Sequence, residues 1–338
     1  MAAVLATHWL ILLAACLLSF VLTWLFTLYA RKAGMLDLPG ARHSHTEPTP
    51  RGGGAGMVIA LALLSWMLQR YYTGTSFWLS GVLPGLLVLS LLGWWDDRMS
   101  LSPLLRFVVQ LAVSSYLIWW VCVDYPLTSV LMLAISWLYL MWMINLYNFM
   151  DGSNGMAGFQ GVFAGLVLAF LFFSGGNEIA ALLSVLVAAV CLGFLPWNLG
   201  QARVFMGDVA SGSLGFVIGA LLIYGVISES LAVGVAWLVM LVFVCDSTLT
   251  LTARVLRGER WYNPHKQHLY QRLIERGWSH GRVLTLYQLI NLVLVVPAIA
   301  VAVNYPASAT IVAIAVSGVL GLGWLLVKHK LGVLAQAG

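Results

Sequence analysis

The chain has 338 residues, of which 61% are hydrophobic and only 9% charged, and its formal net charge is +5. So many apolar side chains cannot be hidden in one aqueous core, which excludes a soluble globular domain and makes the bilayer the solvent of this chain. The positive balance then reads as the topogenic Lys and Arg of a membrane protein and not as a nucleic-acid surface.

Apolar runs of ~17–24 residues, the length that crosses a ~30 Å hydrocarbon core, recur about eleven times. Hydropathy and breakers together predict helices near 8–30, 54–72, 77–95, 103–122, 126–144, 157–174, 178–195, 212–229, 231–251, 283–303 and 307–327. The fold class expected is all-α and polytopic, with eleven spans and ten as the alternative count. No Lys or Arg precedes Arg31 and no small-residue cleavage site follows the first run. That run is therefore expected to stay as a helix entering from outside, which leaves the C-terminus cytoplasmic.

Threaded this way, all of the 17 Lys and Arg residues except Arg70 fall on the inner side. Outer connections such as Val123-Asp124-Tyr125-Pro126 and Ser174-Gly175-Gly176-Asn177 are too short to bind much. A single transmembrane domain is expected, with its site built from the inner loops 31–54, 96–106, 145–156, 196–212 and 252–282. Cys16, Cys122, Cys191 and Cys245 are scattered through apolar runs without metal-ligand spacing and are expected to pack.

The loop from Asp37 to Gly54 carries three consecutive glycines after Thr49-Pro50-Arg51, which would let backbone approach a substrate or enter a helix tightly. Asp96-Asp97-Arg98 follows at a helix end, where the macrodipole and mutual repulsion disfavour paired carboxylates unless a cation compensates. Either a divalent ion or Arg98 as counterion in a solvated turn would serve.

Asn145, Asn148, Asp151 and Asn154 lie where one span ends and the next begins. The two asparagines three residues apart can face one ligand, although Asp151-Gly152 and Asn154-Gly155 also make ordinary turns. Phe205-Met206-Gly207-Asp208, followed by small residues, suits an anion or metal site, or a plain N-cap. The loop from Arg254 to Arg282 is rich in Arg, Lys and His. It reads either as contact with anionic lipid or as a phosphate-binding surface, and His265 and His268 without cysteine make a poor zinc site.

The order of these elements, PTPRGGG, DD, NxxNFMDG, GD before a small-residue helix, then HxxHLYQRL, closely resembles the polyprenyl-phosphate N-acetylhexosamine-1-phosphate transferases, from about Asp37 to Arg276. The resemblance implies transfer of a sugar 1-phosphate from a UDP-sugar to undecaprenyl phosphate, with Mg2+ and Mn2+ as its substitute. It points to the branch that initiates O-antigen or related envelope glycans. It implies metal and catalytic roles for Asp96, Asp97 and Asp208 and a catalytic role for His268. Asn145, Asn148, Asp151 and Asn154 would bind the nucleotide sugar, and Thr49, Arg51, Arg106, His265 and Arg272 would complete the substrate-binding set.

The expected donor is UDP-GlcNAc or a 6-deoxy relative such as UDP-N-acetylfucosamine. Expected partners are that donor, undecaprenyl phosphate and membrane lipids, without nucleic acid, and a homodimer is one option left open. The expected location is the bacterial inner membrane with a cytoplasmic site. Two departures matter: Asn154 stands where the family usually has Asp, and Tyr270 and Gln271 replace late histidines. The absence of a triple histidine argues against the peptidoglycan branch and its muramyl-pentapeptide donor. A transporter is the rival of a different class, but it would place charges near the bilayer midplane.

Overall fold

The computed structural model of the protein describes residues 2–37, 48–68, 77–260 and 265–331, with the backbone alone for residues 2–8. The described residues fall into two compact units, one running to Leu231 and one beginning at Ala232. Both are helical, and the one sheet among the described residues is the two-residue pairing of β1, Leu36–Asp37, with β2, Thr49–Pro50.

The first unit holds α1 (Ala2–Lys32), α2 (Ala55–Leu68), α3 (Leu83–Met99, led in by a π turn at Phe77–Val82), α4 (Pro103–Asp124), α5 (Val130–Phe149), α6 (Met156–Ser174), α7 (Glu178–Asn198) and α8 (Asp208–Ile227). Their starts follow ordinary capping chemistry. Ser102, Ser129 and Asn177 each accept a backbone N–H of the first turn through their side chains, and Pro103 occupies a position whose amide has no helical partner. Lipid replaces water around the unit, so helices associate through close backbone approach and buried hydrogen bonds. Two contacts position the site. A side chain at Gly93 of α3 would stand 2.1 Å from the Asp208 carbonyl oxygen of α8, and Ser90 and Ser213 join the same two helices at 2.8 Å.

The second unit holds α9 (Val233–Val239), α10 (Leu241–Leu256), α11 (Leu269–Glu275), α12 (His280–Ile290), a π turn at Asn291–Val295, α13 (Val296–Asn304) and α14 (Ala309–Lys330). Large apolar side chains point outward from both units, Trp9, Leu13 and Leu17 on α1 and Ile311 and Ile314 on α14 among them, as lipid-facing surfaces require.

Nine helices among the described residues are long and apolar enough to span a membrane, or ten when α9 and α10 count as one bent span. The protein is thus a polytopic, all-α membrane protein. The helix expected over 231–251 is broken at Met240, whose φ of −110° and ψ of 10° leave the helical region, and the two halves meet at 78°. The helix expected from 212 starts four residues earlier, at Asp208, because its first amides find a carboxylate on another helix. The loop expected over 252–282 contains α11. The second expected span is described over Ala55–Leu68; its end, with Arg70, and the stretch containing Arg42 lie outside the described residues.

Candidate active site

In the first unit, Asp97 occupies the last turns of α3 with its side chain fully buried. Its two carboxylate oxygens accept the backbone N–H groups of Asp208, at 3.0 Å, and Val209, at 3.2 Å. Two otherwise orphaned donors at the start of α8 are thereby satisfied by a residue 111 positions away. The arrangement needs Gly207, whose φ is +79° and where a side chain would stand 2.4 Å from Asp97 Oδ2. Gly53 and Gly54 donate to the carbonyls of Phe205 and Met206, both at 2.9 Å, and Phe205 N–H donates to Pro50 at 2.8 Å. The triple-glycine loop therefore lies directly along the irregular segment that leads into Asp208.

Arg51 bridges two acids, 2.7 Å from Asp97 and 3.0 Å from Asp208. Burial would lower its pKa, but the charges of Asp208 and Asp97 outweigh that and hold it above the ordinary value. Arg106 of α4 lies 2.9 Å from Asp96 and 3.7 Å from Asp208. Asp96 also accepts the N–H of Leu101 at 2.6 Å. Arg98 is not the counterion of the pair: it stacks on Trp94 at 4.2 Å and donates to the Tyr29 hydroxyl.

Asn148 donates to Asp208 at 3.0 Å and to Ser211 at 2.8 Å. Asn145, one turn earlier on α5, turns to α4 and donates to Gln110 at 2.9 Å, so within the chain the two amides serve different partners. Burial pushes the Asp151 carboxyl well above its usual pKa, and the negative charge of Asp208 adds to that while Arg51 opposes it. Asn154 donates to the Gly200 carbonyl at 2.7 Å, tying its loop to the one after α7. The nitrogen of the amide is in use there, which a carboxylate could not replace. Thr49 is buried in β2, opposite Asp37.

Gln110 and Ser211 escaped the sequence reading. Gln110 carried a usable signal, since it stands four residues after Arg106 and so on the same helix face. Ser211 is one of the small residues that follow Asp208, and nothing in the local pattern sets it apart from them.

The late histidines belong to the second unit. His268 is buried at the N-terminus of α11 and its backbone N–H donates to the Gln271 side chain at 3.3 Å. Gln271 thus works as an N-terminal capping residue, while Tyr270 is a core residue. His265 accepts the N–H of Gln267 at 3.3 Å. Burial pulls His268 down to about 4, against the opposing charge of Asp246. It pulls His265 down to about 3, with His268 and Arg254 adding. Both imidazoles are neutral at pH 7 and act as hydrogen-bonding groups, not as cations. Arg272 pairs with Glu275 at 2.9 Å. Arg254 and Arg257 grip Glu259 at 2.8 and 2.7 Å. Burial raises the Glu259 pKa, but the hydrogen bonds from Arg254, Arg257 and Gln267 hold it down to about 2. Much of the basic charge of this loop is therefore spent internally.

Residues 79–226 match the sequence profile of glycosyl transferase family 4. A decaprenyl-phosphate N-acetylglucosaminephosphotransferase of Mycolicibacterium smegmatis is 30% identical over 326 residues, covering 82% of this chain and 78% of the relative. The chain belongs to glycosyl transferase family 4. A probable undecaprenyl-phosphate N-acetylglucosaminyl 1-phosphate transferase of Bacillus subtilis is 27% identical, covering 80% of this chain and 78% of its own. The undecaprenyl-phosphate alpha-N-acetylglucosaminyl 1-phosphate transferase of Escherichia coli is 26% identical with the same coverage. These family 4 relatives are sugar-1-phosphate transferases that use a polyprenyl phosphate.

In this family 4 member, no three His, Cys, Asp or Glu side chains among the described residues stand together as a ready-made metal cage. Mg2+ does not require one, since it takes one or two carboxylates and completes its shell with water and substrate phosphate. The acids Asp96, Asp97, Asp151 and Asp208 outnumber Arg51 and Arg106 around them, and every donor they offer is oxygen. That excess of carboxyl oxygens, crowded enough that burial and mutual repulsion oppose full ionisation of Asp151, suits a hard divalent cation. Asp97, already committed to two amides and Arg51, is the least available of the four.

Proposed function

We propose that the protein transfers N-acetylhexosamine 1-phosphate from a UDP-sugar to undecaprenyl phosphate and releases UMP. The observation that carries this reading is the cluster at the start of α8, where Asp208 meets Arg51, Arg106 and Asn148 within hydrogen-bonding or ion-pair reach. In the reaction an oxygen of the lipid phosphate attacks the sugar-bearing phosphorus, and the bond from that phosphorus to the oxygen of UMP breaks. Both reactants are anionic, so the site must supply positive charge.

Asp208 and Asp96 are the residues that would hold Mg2+, which on binding neutralises phosphate charge and polarises the bond to the leaving group. Arg51 and Arg106, half-exposed and already oriented by the acids, would turn their remaining N–H groups to phosphate oxygens. Asn148 fixes Asp208, and Asp97 fixes the helix start that carries it. A phosphate monoester has its second pKa at about 6, so the nucleophile is already deprotonated near neutral pH and no strong base is required. His268 is assigned by the motif order, and as a neutral imidazole it offers one N–H to a phosphate oxygen. His265, Arg272, Asn145, Asp151 and Thr49 remain substrate-binding assignments of the same origin.

The donor we favour is UDP-GlcNAc or a 6-deoxy relative, because the relatives are named for N-acetylglucosamine and no triple histidine is present. The product would initiate O-antigen or a related envelope glycan. The site would face the cytoplasm across the bacterial inner membrane, as the distribution of Lys and Arg indicates. Purified protein with Mg2+ and undecaprenyl phosphate is expected to release UMP from UDP-GlcNAc or UDP-N-acetylfucosamine and not from UDP-MurNAc-pentapeptide. Release confined to the pentapeptide donor, or none from any donor, overturns the proposal.

A further inference from the structure

Asp246 of α10 is a buried carboxylate, 3% exposed, that belongs to none of the motifs above and has no task in the reaction above. Its oxygens accept five donors, all within the second unit. The backbone N–H groups of Leu269 and Tyr270 donate at 2.8 and 3.4 Å. The Tyr287 hydroxyl donates at 2.7 Å, the Trp324 indole N–H at 3.0 Å and the Thr250 hydroxyl at 3.2 Å. A carboxylate on a membrane-spanning helix is expensive and usually persists for function, with its partners making it tolerable.

The direction of those bonds says what the group does. Leu269 and Tyr270 are the two residues immediately after His268, and α11 is only seven residues long, too short to hold its own first turn in place. The residue before His268 is tied as well. The Gln267 side chain bonds Glu259 at 2.9 Å and accepts from Arg257 at 2.6 Å, and its carbonyl accepts the Lys328 ammonium. Asp246 links the start of α11 to three other helices at once, through itself on α10, Tyr287 on α12 and Trp324 on α14.

We propose that Asp246 is a positioning residue for His268: it clamps the first amides of α11 so that the imidazole is presented in one place for the transfer reaction. The proposal rests on the assignment of His268 to that reaction. It assigns Asp246 no contact with either substrate.

The test compares the full-length protein with Asp246→Asn, Tyr287→Phe and Trp324→Phe in detergent, by amide hydrogen exchange and by steady-state UMP release. Asp246→Asn replaces an acceptor that takes five donors by a group that brings its own N–H, so exchange at 269 and 270 should rise at least tenfold while other spans stay protected. Its kcat should fall at least tenfold, with the KM for the UDP-sugar changed less than twofold. Tyr287→Phe keeps the packing and removes one donor, Trp324→Phe removes one donor with part of the ring, and both should give smaller changes of the same sign, which decide the case if Asp246→Asn does not fold. Unchanged exchange in all three variants overturns the clamp. Raised exchange with unchanged kcat overturns the positioning role. If the native protein releases no UMP from any donor, the functional reading fails, and the link to catalysis fails with it, while the exchange data still decide whether Asp246 holds the segment.

Discussion

Asp97 in the first unit and Asp246 in the second solve the same local problem. Each is a buried carboxylate on one helix that accepts two consecutive amides at the start of another, 208 and 209 for Asp97, 269 and 270 for Asp246. The difference lies in the remaining partners. Asp97 is completed by the guanidinium of Arg51, which it shares with Asp208, whereas Asp246 is completed by the neutral donors of Tyr287, Trp324 and Thr250. A helix start held beside a shared cation can present a carboxylate to phosphate chemistry. One held by neutral donors presents a neutral imidazole. The same clamp thus serves two electrostatic purposes.

The largest effect should come from the group that the first clamp presents. Asp208→Asn should lower UMP release by ~10³-fold or more, because it removes a carboxylate proposed to hold Mg2+ while leaving Arg51 paired with Asp97. Activity within a few fold of the native enzyme would remove Asp208 from the reaction. Asp97→Asn should act indirectly and less severely, by ~10²-fold in kcat. It should also lower the melting temperature, since one α8 amide faces an N–H in place of an acceptor, at a cost of ~1–3 kcal/mol. An Asp97→Asn protein as stable as the native one would break the comparison with Asp246.

Gly207→Ala probes the geometry of the first clamp from its other side. With φ at +79° and a methyl group 2.4 Å from Asp97 Oδ2, it should lower stability by ~1–3 kcal/mol, read by thermal unfolding in detergent. The second clamp should instead be sensitive to acid. The folded-state values of His268 and His265, about 4 and about 3, lie below the ~6.5 of an unfolded histidine. The unfolded chain therefore takes up protons first. The stability that these groups contribute is fully present above ~6.5 and is lost as pH falls toward 4. The melting temperature should drop between pH 7 and pH 5, and His268→Gln should reduce the drop; a melting temperature flat over that range would contradict the buried neutral state.

Asn154→Asp is the mildest change. It exchanges the donor on Gly200 for a carboxylate and should cost ~1 kcal/mol with activity retained. Tighter nucleotide binding by Asn154→Asp, measured as a lower KM, would show that the family's usual acid is preferred here despite the lost hydrogen bond.

Much of this protein is legible from local pattern. Apolar runs identified the spans, because desolvating side chains along ~20 residues is a property of the segment itself. The glycines after Arg51 pointed to close backbone approach, and Gly53 and Gly54 lie against Val204, Met206 and Ala210. Legibility failed at the break at Met240, which carries no proline or other chain-breaking residue, and at Gln271 and Tyr270, which looked like lost histidines and are a cap and a core residue. It failed again in the choice of counterion, where Arg98 is adjacent in sequence and Arg51 and Arg106 do the work.

From the sequence alone follow the membrane class and the number of spans to within one or two, since each depends on residues close together in the chain. Only the tertiary structure separates Asp96 from Asp97, which are consecutive. Neighbours on a helix point about 100° apart, so one meets Arg106 and the other the start of α8, and which partner waits in each direction is settled by the packing of α3 against α4 and α8. The same holds for Asp246, whose indole partner lies 78 residues away: a buried charge takes its meaning from donors that only the folded chain brings to it.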